Sequence, residues 1–272
     1  MKVQGYSIYR NTIPAVILFL FISAFSLAQE NDTAVSVEEM NKKRQNPVEG
    51  LRSVFLQGIF IPGTGDGTAQ SYSLQPVWPF RIGNNVKLIT YTILPYQQIP
   101  ALYEGGESVS GLGNILFNGY FSPMHSTGKL VWGAGPAVQL PTRTDPALAS
   151  NRVSLGPSGL LYLRGDVLSG GIVAQNYWSL GGEGINKVNM FSLQYIAYCN
   201  FNKGWFALSN STIVADWLAD EEQWLVPVGG GVGKTFKMGK KFYCGDLQLF
   251  YNAVRPEPVG NFQIIFQFQV II

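Results

Sequence analysis

The feature that most restricts the fold of this chain is a two-residue hydrophobic period in its last segment. Every second residue there is apolar, and most of the residues between are glutamines. The apolar positions are Phe262, Ile264, Phe266, Phe268, Val270 and Ile272, and the opposite positions include Gln263, Gln267 and Gln269. Because successive side chains of a β-strand point to opposite faces, the pattern predicts a strand with one wholly apolar face. A soluble edge strand is rarely so apolar without a charged residue to protect it.

Similar segments fill the chain from Leu51 onwards, separated by Gly, Asn, Asp and Pro. The pattern predicts twelve strands, at residues 51–62, 69–81, 86–96, 111–122, 129–141, 153–164, 170–180, 188–201, 204–216, 223–236, 241–253 and 259–272. An even number is typical of bacterial transmembrane barrels, in which short periplasmic turns alternate with longer external loops. The links at 83–85, 202–203 and 238–240 are tight, whereas 97–110 and 142–152 are long and fall at the opposite end.

The segment from Leu130 to Leu140 indicates what its two faces require. One face holds Leu130, Trp132, Ala134, Pro136, Val138 and Leu140, and the other includes Gly133, Gly135 and Gln139. A soluble sandwich needs polar outer faces, so the apolar set favours lipid and the other set a lumen. Six aromatic residues near segment ends fit interfacial girdles: Trp78, Phe80, Trp132, Trp205, Trp217 and Trp224. We therefore predict an all-β fold, a transmembrane antiparallel up-and-down β-barrel of about twelve strands over residues 51–272.

The first 28 residues have the form of a secretory signal peptide. Lys2 and Arg10 precede an apolar run from Ile13 to Phe25, and small residues end at Ala28, where we predict the cut. The alternative is an uncleaved anchor, although the run is too short to span a bilayer as a helix. Export of a barrel predicts a bacterial outer-membrane location, with membrane lipid and, through strand 259–272, the barrel assembly machinery as partners.

Composition and charge exclude one class of partner. Only 13% of the residues are charged, whereas an average soluble domain has about 25%, so the charged fraction is low for a soluble protein. Without Lys2 and Arg10 the chain holds 17 basic and 17 acidic residues. A neutral chain with no long Lys/Arg block lacks the electrostatic footprint of a nucleic-acid binder.

Residues 29–50 predict a polar periplasmic arm ahead of the barrel. Ser36 and Glu39 form a capping box that starts a short helix running to Arg44, and Asn46-Pro47 ends it. The pattern leaves open whether this arm is flexible or is tucked into the mouth of the barrel.

Motifs for chemistry are weak in this sequence. Gly229–Thr235 resembles a phosphate-binding loop, but Val228 occupies the position of the first required glycine, so a Gly-rich strand is favoured. His125 is the only histidine, and no candidate partner for catalysis accompanies it. Alternation places Cys199 outward and Cys244 inward, which predicts two free thiols. We expect no catalytic residue, no metal and no cofactor, and hence no enzyme.

Alternation also predicts which polar side chains line the lumen. The candidates are Gln75, Lys87, Asn114, Asn118, Gln139, Gln194, Asn210, Asp216, Asp246 and Gln248. Amides dominate this set, whereas ion-selective pores use rings of charge, so the pattern favours weakly polar or apolar solutes. The alternative is that these side chains only fill the interior of a small barrel.

Several short motifs in fixed order resemble a known family. They are Gln45-Asn46-Pro47, Leu74-Gln75-Pro76-Val77-Trp78-Pro79-Phe80, Thr92-Ile93-Leu94-Pro95, Gly111-Leu112-Gly113-Asn114, Phe121-Ser122-Pro123, Trp132-Gly133-Ala134-Gly135-Pro136 and Gln223-Trp224-Leu225-Val226-Pro227. From about Gln45 to the end the chain resembles bacterial outer-membrane barrels related to the MetA pathway of phenol degradation, some of which carry the label neuromedin U. One departure is Tyr91, where relatives often have Arg, so the lumen lacks a charge.

The resemblance implies a channel or transporter for small hydrophobic or aromatic molecules, and it supplies no catalytic residue. Two alternatives remain at this point: an outer-membrane enzyme that modifies lipid, and a barrel that serves structure or binding without transport.

Overall fold

The computed structural model describes residues 35–126, 128–180 and 187–272. The predicted signal peptide lies outside these residues. One α-helix, α1 (Val37–Gln45), precedes the strands, and the Ser36 hydroxyl accepts a hydrogen bond from the Glu39 N–H at 3.0 Å. This N-cap starts the helix where the sequence predicted it. Within the described residues, no helix is long and apolar enough to cross a membrane.

The rest of the described chain is almost entirely antiparallel sheet. Its strands are β1 (Ser53–Thr64), β2 (Gly67–Ile82), β3 (Val86–Ile99), β4 (Val109–Leu112), β5 (Ile115–Pro123), β6 (Leu130–Leu140), β7 (Ser154–Leu163), β8 (Leu168–Ser179), β9 (Asn189–Asn200), β10 (Trp205–Asp216), β11 (Trp224–Met238), β12 (Lys241–Val254) and β13 (Phe262–Ile271). A short 3₁₀ turn, Asn202–Gly204, links β9 to β10.

These segments form a closed barrel of twelve wall strands. Consecutive strands pair from β1 to β4 and from β5 to β13, β3 also pairs with β5, and β1 pairs with β13, which closes the barrel. β4 and β5 both pair with β3, so they are two halves of one wall strand. The predicted class and strand number are confirmed, but the continuous strand predicted at 111–122 is wrong. Between the pairs Tyr96–Leu112 and Ile93–Leu116 the β4–β5 side has one extra residue, and there the Asn114 side chain bonds a loop.

The two ends of the barrel differ in their links. We call the end with links 83–85, 164–167 and 239–240 the turn end; α1 and the last strand also meet there. The other end, the loop end, has links such as 100–108 and 141–153. The long links 100–108 and 141–153 therefore lie opposite the tight turns as predicted, although the loop end also has the two-residue link 65–66.

The register separates the two faces of the wall. Leu247 pairs with Val232 and Phe266, and Leu247 and Val232 are more than half exposed on the outside. The next residue, Gln248, pairs with Gly231 and Ile265 and is only 2% exposed on the inside. Large apolar side chains on the outer face include Leu56, Leu74, Trp132, Leu161, Ile172, Leu249 and Phe262. The outer face is thus an apolar band, and the inner face is densely packed.

Candidate functional site

The barrel interior is the candidate site, and its part near the turn end is more aromatic than the sequence predicted. Ile89, Tyr120, Val131, Leu160 and Tyr162 form one buried cluster, which Val48 joins from the arm. The Ser158 hydroxyl donates to Tyr120 Oη at 3.0 Å, and Tyr162 Oη donates to Ser169 Oγ at 2.8 Å. Both tyrosines are buried inside the barrel, and their hydroxyls are hydrogen-bonded to serines of the wall. Composition alone does not find them, because tyrosine also populates outer girdles.

A hydrogen-bonded network links four of the predicted lumen residues. Gln194 Nε2 donates to Asn210 Oδ1 at 2.9 Å, the Asn210 N–H donates to Gln248 Oε1 at 3.1 Å, and Gln248 Nε2 donates to Asp246 Oδ1 at 2.9 Å. Gln248 reaches from β12 to β10 across β11, where its neighbour Gly231 has no side chain. The Gly-rich run at 229–233 therefore lies within a strand and leaves space for this crossing.

Other predicted lumen residues lie on the same inner face. Gln75 is 2% exposed and donates from Nε2 to Gln57 Oε1 at 3.1 Å; it also accepts a hydrogen bond from Tyr91. Asn118 Oδ1 accepts a long hydrogen bond of 3.5 Å from Tyr177 Oη. The buried Gln139 Oε1 has no hydrogen-bond partner among the described residues, and Lys87 lies at the turn end near Glu49.

Asn114 and Asp216 are placed differently from the rest of the set, because both hold loops at the loop end. Asn114 Nδ2 donates to Ser150 O at 2.7 Å, and its Oδ1 accepts the Arg143 N–H at 3.2 Å. Asp216 Oδ1 accepts the Leu218 N–H at 3.0 Å. Where strands end, backbone groups lose their ladder partners, and short polar side chains replace them.

The turn-end mouth of the barrel is filled by α1. Asn41 Nδ2 and Gln45 Nε2 both donate to Asn200 Oδ1 on β9, at 2.9 and 2.7 Å. Ser169 Oγ on β8 donates to Gln45 Oε1 at 3.1 Å. On the other side of α1, Met40 packs with Phe242 and Ile271. The arm from Val35 onwards is thus tucked into the mouth, one of the two arrangements that the sequence left open.

Arg44 is the residue of α1 that enters the lumen. Its Nε donates to Thr235 Oγ1 at 2.7 Å and to Asn41 Oδ1 at 3.1 Å, and its guanidinium lies 4.4 Å from the centre of the Phe206 ring. Its charge also acts on the buried Asp246. One terminal nitrogen, Nη2, is buried without a hydrogen-bond partner in the described part of the chain. A cation thus faces a carboxylate inside a lumen that the sequence predicted to hold few charges.

The sequence does indicate which face of α1 is buried, but a hydrophobicity pattern does not detect it because that face is largely polar. Val37, Met40, Asn41, Arg44 and Gln45 follow the spacing of one helix face, and that face is buried in the barrel. Three of these five side chains are polar, so the pattern is typical of a solvated face. Burial of this polar face is favourable only because the amides and hydroxyls of the barrel wall form hydrogen bonds with it.

Charged contacts at the rim complete the docking of α1. Lys42 Nζ lies 2.7 Å from Asp166 Oδ1 in the β7–β8 turn, and the Lys203 N–H donates to Glu38 Oε1 at 2.9 Å. The Lys42 ammonium donates a hydrogen bond to Asp166 and holds the pKa of that carboxyl below its usual value. Exposed pairs of this kind add little stability in water, so the buried contacts dominate the docking.

The two mouths have opposite charge. A cavity of about 440 Å³ at the turn end lies between α1 and the wall and includes Lys42, Lys43, Lys129 and Arg164 in its lining. A second cavity, of about 930 Å³, lies among the loop-end links, where its charged residues are Asp66, Glu104 and Glu257. The protein therefore presents a mainly basic surface at one end and an acidic one at the other.

The remaining sequence features are His125 and the two cysteines. His125 is exposed in the β5–β6 link, and among residues 35–126, 128–180 and 187–272 no three His, Cys, Asp or Glu side chains cluster as metal ligands. Cys199 pairs with Ala207 and Leu168 on the outer face, whereas Cys244 is buried on the inner face, and both thiols are free. The prediction of two free cysteines on opposite faces is confirmed.

Comparisons with known proteins support the architecture. No family model matches the chain, and no curated protein sequence matches it. The crystal structure of the COG4313 outer membrane channel from Pseudomonas putida F1 superimposes with a TM-score of 0.61 and 12% identity, over 82% of this chain and 96% of that chain. The toluene transporter TodX of P. putida gives a TM-score of 0.41 and 11% identity, over 85% and 91%. The first likeness shows that the two chains share a barrel fold.

Proposed function

We propose that this protein is a channel of the bacterial outer membrane for small hydrophobic or aromatic molecules, and that α1 closes its turn end. One observation carries the proposal: a closed barrel with an apolar outer band encloses amides, hydroxyls and tyrosine rings. An apolar outer face of this kind requires lipid around it, since water would leave it unsolvated. The structural neighbour from P. putida F1 is an outer membrane channel, which agrees with this function.

The orientation and biogenesis belong to the same proposal. Residues 1–28 direct export and are removed, the turn end faces the periplasm, and residues 29–50 form a periplasmic arm. Residues 259–272, an aromatic and alternating terminal strand, are the segment that the barrel assembly machinery recognises. Solutes would pass along the inner face, past Gln75, Lys87, Asn118, Gln139, Gln194, Asn210, Asp246 and Gln248, while Asn114 and Asp216 shape the outer entrance.

The contacts of α1 suit a removable plug better than a permanent core element. Its interface consists mainly of single hydrogen bonds from Asn41, Arg44 and Gln45, and the apolar part is limited to the cluster around Met40. Each such bond contributes only about 1 kcal/mol net, since water offers equivalent partners when the helix leaves. A few kcal/mol separate the plugged and open states on this account.

A disulfide lock tests the plug. The Thr235 hydroxyl donates to Asn41 Oδ1 at 2.7 Å, so Asn41→Cys with Thr235→Cys places one cysteine on α1 beside one on the wall, in a background of Cys199→Ala and Cys244→Ala. We expect the oxidised protein to lose single-channel openings and uptake of an apolar aromatic solute into liposomes, and reduction to restore both. The single Asn41→Cys variant is the control, since it cannot be locked.

The same experiment separates the alternatives. Equal conductance in the oxidised and reduced states would place α1 outside the path. A folded barrel that neither conducts nor takes up solute when oxidised or reduced would favour the non-transporting barrel, provided that the Arg44→Ala variant, in which α1 loses a main anchor, is also inactive. One observation favours that second candidate: Phe206, Phe250 and Gln248 are almost completely buried, as in a filled interior.

A further inference from the structure

The turn-end cavity collects more positive charge than its acids neutralise. Lys42 is paired with Asp166 at 2.7 Å, and Lys43 with Glu39 at 2.7 Å. The third acid, Glu49, accepts a hydrogen bond from Asn46 Nδ2 at 2.8 Å. Three cations of the same mouth, Lys87, Lys129 and Arg164, have no such ion pair with a described residue.

Lys87 and Arg164 lie close enough to act on each other, and the Arg164 N–H donates to the Lys129 carbonyl at 2.8 Å. Lys87 is attracted by Glu49 and repelled by Arg164, and Lys129 acts on Asp166 only at longer range. Arg164 uses one terminal nitrogen, Nη2, to bond the carbonyls of Ser126 and Gly128. A guanidinium has five N–H donors, so these two bonds leave donors of Arg164 available at the cavity wall. Converging like charges cost free energy that a bound anion would recover.

We propose that this cavity is a binding site for a small anion that carries a carboxylate or phosphate group. Lys129 and Arg164 supply the charge, and Asn46, Tyr162 and Ser169, whose polar groups are hydrogen-bonded within the protein, complete the lining. A volume of about 440 Å³ accommodates an anion of the size of benzoate. The acidic loop-end cavity, in contrast, repels the same ligand.

The site is shared between the plug and the wall. Lys42, Lys43 and Asn46 belong to α1 and the residues directly after it, whereas Lys129, Tyr162, Arg164 and Ser169 belong to the wall and its turns. An anion bound between them bridges the two parts and stabilises the docked helix. Binding is a property of the closed barrel, so it does not depend on whether the protein conducts.

Calorimetric titration of the purified full barrel in a neutral detergent tests this site. The probes are benzoate, inorganic phosphate and benzamide, the last as an uncharged match for benzoate. We expect benzoate, phosphate or both to bind in the millimolar range or tighter, with affinity falling as salt rises, and benzamide not to bind. Binding of benzoate alone identifies an aromatic carboxylate as the ligand type, and binding of phosphate alone identifies a phosphoryl group.

A matched pair of lysine variants locates the binding. Lys129→Gln removes a charge from the cavity, and Lys240→Gln removes one from the β11–β12 turn at the same end of the barrel. We expect Lys129→Gln to weaken anion binding about two- to five-fold, the range of a partly screened charge, and Lys240→Gln to leave it unchanged. Equal effects of the two variants, equal binding of benzamide and benzoate, or no binding of either anion by the unaltered protein would overturn the proposal.

Discussion

The two faces of the barrel wall belong to the same strands and yet meet opposite demands. Outside, Leu247 and Leu249 are more than half exposed; inside, Gln248 and Phe250 are almost completely buried. The outer face needs only to be apolar, because lipid is fluid and adapts to any shape. The inner face must fit, because its side chains and α1 fill a space of fixed size. Substitutions matched across the wall should therefore have unequal effects.

The largest expected difference comes from introducing an arginine on the outer face or on the inner face. Phe266 and Gln267 are neighbours on β13, and Phe266 points outward while Gln267 pairs with Asp246 on the inner face. Phe266→Arg should cost about 2–4 kcal/mol near the middle of the bilayer and impair assembly. Gln267→Arg should fold normally, since Asp246 lies beside it. Heat-modifiable gel mobility and urea titration in liposomes measure both, and equal losses would contradict the assignment of faces.

A smaller loss of stability should follow from adding one methyl group to the inner face, and none from adding it to the outer face. A Cβ at Gly233 would lie 2.3 Å from the Phe206 ring and 2.8 Å from Asp246 Cβ, whereas a Cβ at Gly159 meets nothing closer than 4.0 Å. We expect Gly233→Ala to cost about 1–3 kcal/mol through overpacking. Gly159→Ala should be neutral or slightly stabilising, since glycine weakens a strand. If Gly233→Ala is as stable as Gly159→Ala in urea, the inner face is looser than described.

Removing a tyrosine hydroxyl from the inner or the outer face should also change stability unequally. Tyr120 accepts a hydrogen bond from the buried Ser158 at 3.0 Å, and Tyr251 is half exposed on the outer face, in edge contact with Phe262. Tyr120→Phe should cost about 1–3 kcal/mol, because the Ser158 hydroxyl loses its partner. Tyr251→Phe should change the free energy of unfolding by less than about 0.5 kcal/mol. A larger loss at Tyr251 would indicate a buried partner for the outer hydroxyl.

The two native thiols test the faces without changing stability. Cys199 is partly exposed on the outer face, and Cys244 is 1% exposed beneath α1. A maleimide in mild detergent should modify Cys199 in the folded barrel and reach Cys244 only after denaturation. Mass spectrometry of the labelled peptides identifies each site. Early labelling of Cys244 would mean that α1 leaves the mouth readily. Thiols titrated in denaturant before and after reduction should be equal in number, which checks that the two cysteines form no disulfide.

Much of the wall could be predicted from local pattern alone. The pattern at 129–141 predicts that Trp132 points outward and Gln139 inward, and β6 (Leu130–Leu140) places them so. Such predictions hold because a strand alternates strictly, and the bilayer favours one apolar face along its whole length. The error at 111–122 has a different origin. A break at Gly113 and Asn114 depends on partners in the loop at 142–150, far away in the sequence.

The candidate site could be predicted only in part. Alternation found the inner amides, including Gln75, Gln194 and Gln248, because it needs no knowledge of neighbouring strands. It could not show that Gln248 bonds Asn210 across β11, since that depends on register and on the absent side chain of Gly231. It also assigned Asn114 and Asp216 to the lumen, although their position at strand ends gives them loop backbone as partners.

The sequence by itself determined the barrel: strand period, even strand number, apolar outer band and polar inner set all follow from local pattern. Tertiary structure alone decided that α1 enters the mouth, that Arg44 reaches Thr235 and faces Asp246, and that opposite charges gather at the two ends. The physical reason is the range of the interactions. Burial in lipid acts on each residue separately, whereas a buried polar helix is stable only when donors and acceptors from distant strands converge on it.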